Sequence, residues 1–179
     1  MKTKTSLYEQ LIEPIETRMM RSIWRIVRNP EAAEDTLQEA LTIIWRRLDR
    51  IRSHPNPNAF ILKICINAAY DSLRKRKHNR QHEKPEVLRQ LSTRSETTVP
   101  EALEQKETEA EIIKAISRLP RKQAVAILMR IVQDQPYDVI AQAMGCSKGT
   151  ARIHVSRGRT RLSRWLSHLN PVSLKEVSK

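Results

Sequence analysis

Glycine is almost missing from this chain. Of 179 residues only Gly145, Gly149 and Gly158 are glycine. β-Branched alternation is missing too, and the two absences together predict an all-α fold. Cysteine occurs twice, as Cys65 and Cys146, far apart and in apolar or helix-end settings. The pair reads as reduced, buried thiols rather than a disulfide, which fits a cytoplasmic compartment. No apolar run approaches the roughly 18 residues a membrane span needs, so no membrane insertion is expected. The opening segment MKTKTSLYEQLIEPIE carries acids where a secretory signal has its apolar core. Phosphate-loop, CxxC, HExxH and nucleophile-elbow motifs are absent. The five histidines are scattered: His54 in a loop, His78 and His82 in a basic run, His154 and His168 on a helix. Neither an enzyme, a metal site nor a bound cofactor is expected.

Acid is also absent from Val139 to Lys175, and what fills that interval is basic: Lys148, Arg152, Arg157, Arg159, Arg161, Arg164 and Lys175. The net charge is +13 and the pI about 10.3, a balance that favours a polyanionic partner. Two short helical patterns cross the basic interval. Val139, Ile140 and Ala143–Met144 mark the first, which Pro136 opens. Gly145 suits the left-handed position that ends it, and Ser147 suits the cap of the next. On that second helix Ala151, Val155, Gly158, Leu162 and Trp165 fall on one face. Ile153, Ser156, Arg157, Thr160 and Arg164 fall opposite, flanked by Arg152 and Arg159. These are the parts of a helix-turn-helix reader, although a helical hairpin with a solvated basic face has the same pattern.

The N-terminal half reads as three helices. Leu7, Leu11, Ile15, Met19, Ile23 and Ile26–Val27 trace the first stripe, which Pro14 kinks or restarts. Asn29-Pro30-Glu31 starts the second: Asn caps, Pro fits the first turn and the acids suit the positive helix end. That helix runs past Leu48 and stops before a Pro- and Asn-rich loop at 53–58. The third runs from about Ala59 to Lys77, with Phe60, Ile61, Ile64, Cys65, Ala68 and Leu73 as its core face. It ends in Arg74-Lys75-Arg76-Lys77-His78-Asn79-Arg80, a solvated helix end or a second contact with nucleic-acid backbone. Residues 79–108 are polar and poor in large apolar groups, and read as a flexible linker with a short helix toward its end.

Two blocks resemble a known family. PEAAEDTLQEALTIIWRRLDRI with NAFILKICINAAYDSLRKRK is similar to region 2 of bacterial sigma-70-type RNA polymerase sigma factors. AISRLPRKQAVAILMRIVQDQPYDVIAQAMGCSKGTARIHVSRGRTRLSRWL is similar to their region 4. Their order and short polar connection resemble the extracytoplasmic-function (group IV) type. The resemblance implies two small helical domains, a region 2-like domain at 1–78 and a region 4-like domain at 109–170, joined by the flexible linker 79–108 and followed by a tail at 171–179.

The resemblance also implies roles. Asp35, Gln38, Glu39 and Leu41 would dock on the clamp helices of the polymerase β′ subunit, where the family often has Phe in place of Leu41. Asn67 would read a flipped base of the −10 element, with Lys63 beside it and Arg74, Lys75, Arg76 and Lys77 on the backbone. Phe60 stands where the family usually has Trp, and the 52–58 loop would wall the base pocket. Lys148, Thr150, Arg152, Ile153, Ser156, Arg157 and Arg159 would meet the −35 element. His154 and Gly158 stand where the family frequently has Arg and Ala. The implied partners are core RNA polymerase (β′ clamp helices and β flap), promoter DNA and an anti-sigma factor. A dimeric helix-turn-helix regulator of duplex DNA is the competing reading; it accounts for the C-terminal block and leaves the N-terminal one without a role.

Overall fold

The computed structural model describes residues 4–82 and 100–169, with side-chain environments at 5–76 and 107–169. All regular structure among them is helical. Helix α1 covers Lys4–Ile12, and a 3-10 turn at Glu13–Ile15, centred on Pro14, separates it from α2 at Glu16–Val27. Proline thus restarts the helix, as expected from its missing N–H. Arg28, at φ 51°, ends α2 in the left-handed conformation.

Helix α3, Pro30–Arg46, begins as predicted, with Asn29 Oδ1 accepting the Ala32 N–H at 2.8 Å. It does not run unbroken past Leu48. Arg47 donates to both Ile43 O and Ile44 O, tightening the turn, and α4 resumes at Leu48–Arg52. Leu48 and Ile51 still continue the buried stripe of Ile44, so the break costs the core nothing.

Helix α5 is longer than expected, Pro57–His82 rather than 59–77. Asn56 Oδ1 accepts the Ala59 N–H at 3.0 Å, so Asn56-Pro57 repeats the start device of Asn29-Pro30. The predicted core face is buried, but so are Leu62, Ile66, Ala69 and Tyr70 on the other side. The reason is position. Helices α2 and α3 pack on one side of α5, and the C-terminal helices pack on the other.

Those are α6 at Pro100–Arg118, α7 at Arg121–Ile131, α8 at Tyr137–Met144 and α9 at Lys148–Trp165. Residues 83–99 of the expected linker and the tail beyond 169 lie outside the described residues. Helix α7 is buried from Gln123 to Met129, with α9 and α5 against it. The Tyr70 hydroxyl donates to Leu119 O, tying the two halves together. One continuous apolar core runs from Ile12 to Leu166. Cys65 is buried within it, and Cys146 is only half-buried; both are free thiols.

Candidate nucleic-acid interface

The turn between α8 and α9 is set by three local devices. Gly145 adopts φ 66°, ψ 44°, a region closed to most side chains. The Cys146 N–H reaches Ala141 O at 3.0 Å and the Gly145 N–H reaches Gln142 O at 3.2 Å, which closes the helix end. Ser147 Oγ then accepts the Thr150 N–H at 3.1 Å and starts α9.

The faces of α9 separate as the sequence implied. Ala151, Val155, Gly158 and Leu162 are buried. Lys148, Arg152, Ile153, Ser156, Arg157 and Arg159 are exposed, and Thr150 is half-buried with its hydroxyl 2.9 Å from Ser147 Oγ. Ile153 is 49% exposed, an uncommon position for so large an apolar group. The Arg152 guanidinium lies 5.6 Å over the Tyr137 ring, which restrains its direction. Arg161 belongs elsewhere: it donates to Gln123 Oε1 at 2.8 Å and braces α9 on α7. Burial, then Lys122 and Arg157, hold the His154 imidazole below the ordinary histidine range.

On α3, Asp35, Gln38 and Glu39 are exposed on adjoining turns, and Leu41 is half-buried beside them. Asn29 and Pro30 orient the helix start, while Ala33, Thr36, Ala40 and Ile44 anchor its other face. Glu39 meets Lys75 of α5 at 3.5 Å, an exposed pair of small energetic weight.

The remaining candidates lie along α5. Lys63 and Asn67 are one turn apart on one face, both half-buried. Asn67 Nδ2 donates to Lys63 O at 2.8 Å, and Asn67 Oδ1 accepts Arg121 Nε at 3.0 Å. Lys63 Nζ donates to Ala143 O at 2.8 Å. Burial, then Arg50 and Arg47, push its ammonium below the ordinary lysine range. Phe60 is buried, with the His54 ring 4.7 Å away and Lys63 Nζ 5.0 Å from its centroid. Arg74 is exposed, whereas half-buried Arg76 donates to Val27 O at 3.2 Å. The side chain of Lys77 lies outside the described residues. Sequence reasoning missed Arg121, because its partner Asn67 is 54 positions away.

The family model for Sigma-70 region 2 matches residues 11–79, and that for Sigma-70 region 4 matches residues 109–162. The chain belongs to the sigma-70 family of RNA polymerase sigma factors. It is of the extracytoplasmic-function type: it is 26% identical over 163 residues to the ECF RNA polymerase sigma factor SigM of Mycobacterium tuberculosis, covering 91% of this chain and 79% of SigM. It is also 26% identical over 157 residues to the RNA polymerase sigma-E factor of Streptomyces coelicolor, covering 87% and 83% of the two chains. The solved structure of the sigma factor RpoE from Bartonella quintana, in complex with the anti-sigma factor NepR, shares the fold at TM-score 0.53 and 21% identity, covering 91% of this chain and 98% of that one. As a sigma factor the protein is a polymerase subunit that binds core RNA polymerase and promoter DNA, not an enzyme. The match across 11–79 disfavours a dimeric regulator, which has no use for those residues. Among the described residues no helix is long and apolar enough to cross a membrane, and no cluster of metal-ligating side chains occurs.

Proposed function

We propose that residues 1–78 dock on core polymerase and read the −10 element, while residues 109–170 read the −35 element. The observation that carries this is the division of exposed surface. Helix α9 offers an acid-free basic face, and α3 offers a face of Asp35, Gln38 and Glu39. One suits phosphates and base edges; the other suits a basic helix of a protein partner.

In this reading Lys148, Thr150, Arg152, Ile153, Ser156, Arg157 and Arg159 engage the −35 major groove. Asn67 pairs through its amide with an unstacked −10 base; Lys63, Arg74, Lys75, Arg76 and Lys77 hold the adjoining backbone. DNA opening draws on binding and on trapping a base outside the stack, so it asks for no catalytic group. The site of action is the cytoplasm, and an anti-sigma protein is the expected inhibitor, as NepR is for the similar RpoE.

The decisive experiment is reconstitution. The purified chain with core polymerase should start transcripts from genomic DNA at sites sharing upstream sequence. On such a promoter Asn67→Ala should reduce open-complex formation far more than duplex binding. Failure to initiate at any site would end the proposal, and equal loss of both steps would make Asn67 structural.

A further inference from the structure

An exposed arginine samples many rotamers, so fixing one against a base edge costs ordering entropy. An aromatic face lowers that cost beforehand, because it attracts a guanidinium and lets it lie flat. On α9 one cation of the DNA-facing set has such a support. The Arg152 guanidinium carbon lies 5.6 Å from the ring centroid of Tyr137, the first residue of α8. Among the described residues no hydrogen bond or ion pair ties Arg152 elsewhere, so the ring is what gives this exposed side chain its direction. Arg157 and Arg159 have no ring beside them among the described residues.

The ring is itself held. Tyr137 is half-buried and follows Pro136, whose φ of −69° fixes the entry to α8. Arg130, at the end of α7, places its guanidinium carbon 5.8 Å from the same centroid. That group is fixed in turn: its Nη1 donates to Asp134 Oδ1 at 2.7 Å and to Gln135 O at 3.4 Å. Asp134 reaches this place through a left-handed backbone, φ 48°. Two cations over one ring repel each other, and the Asp134 carboxylate offsets the charge of Arg130.

We infer that Tyr137 is a positioning residue for base selectivity: its ring, braced by Arg130, holds Arg152 in one direction, and that direction makes Arg152 discriminate within the −35 element rather than only attract phosphate. The inference rests on the assignment of Arg152 to the −35 element given above. A bidentate guanidinium–base contact demands both a distance and a plane. A phosphate contact carries no sequence information and accepts an arginine from many directions. Restraint of Arg152 therefore favours the first contact over the second, and Tyr137 acts without touching DNA.

The test measures holoenzyme affinity for a promoter duplex recovered by reconstitution, and for the same duplex with its −35 element scrambled. The ratio of the two is the selectivity. Tyr137→Leu should reduce that ratio by about three- to ten-fold. Binding to the scrambled duplex should stay within about two-fold, because no charge is removed. Tyr137→Phe keeps the ring face and should keep the ratio. In an Arg152→Ala background, Tyr137→Leu should cost no further selectivity. If Tyr137→Leu loses helix content by circular dichroism, Tyr137→Met is read in its place, with the same results expected. Three outcomes overturn the inference and leave the −35 assignment standing: an unchanged ratio in Tyr137→Leu, an equal loss with and without Arg152, or a loss in Tyr137→Phe as large as in Tyr137→Leu. If Arg152→Ala alone leaves the ratio unchanged, the −35 assignment of Arg152 fails first, and the inference with it.

Discussion

Gly158 lies against Ile127 so closely that a Cβ on the glycine would sit 2.4 Å from Ile127 Cδ1 and 3.1 Å from its Cγ1. The glycine therefore sets the approach of α9 to α7 and so how firmly the recognition face is held. Gly158→Ala gains about 1 kcal/mol of helix propensity. Overpacking a buried isoleucine costs about 1–3 kcal/mol, and the net change should be destabilising. Ile127→Val alone should cost about 0.5–1.5 kcal/mol. Combined with Gly158→Ala it should restore stability, giving a coupling visible in denaturant titrations. Simple additivity would show that the contact is not the constraint.

Arg157 and Arg161 are one turn apart on α9 and do different work. Arg157 is exposed, whereas Arg161 is committed to Gln123. Arg157→Ala should weaken holoenzyme binding to a −35-containing duplex by about 1–3 kcal/mol if it reads a base. Arg161→Ala should lower thermal stability and leave that affinity nearly unchanged. Equal effects on affinity in a mobility-shift titration would assign both to general electrostatics.

The joint substitution Gln38→Ala with Glu39→Ala should reduce association with core polymerase by about ten-fold, or about 1.4 kcal/mol. Both side chains are exposed, so helix content by circular dichroism should not change. A loss of helix would mean that they support α3 itself.

His154 predicts a pH dependence. Its Nδ1 is buried without a hydrogen-bond partner, and its pKa in the fold lies below 6.5. The unfolded chain then binds more protons near pH 6, so stability is full above about pH 6.5 and falls as the pH drops below it. Melting temperature should decline between about pH 7.5 and pH 5, and His154→Gln should flatten part of that decline. An identical decline in both proteins would exclude this residue.

Much of this was legible in short windows. Asn29-Pro30, Gly145 and Ser147 announce helix boundaries because capping and left-handed turns depend on a few adjacent residues. The two faces of α9 followed from spacing alone. Asn56-Pro57 was the same start signal as Asn29-Pro30, yet proline and asparagine density at 53–58 read as loop. The added burial of Ile66 and Tyr70 was not legible either, since a helix packed on two sides leaves no amphipathic stripe to follow.

What the chain by itself determined is its helical class, the caps and kinks of individual helices, and a basic acid-free reader in its C-terminal part. Each depends on neighbours within about one or two turns. Only the tertiary structure decided that Arg161 braces while Arg157 is free, that Gly158 makes room for Ile127, and that Arg121 holds Asn67. Those outcomes depend on which helix ends and faces meet across the core, and such meetings join residues that no local spacing relates.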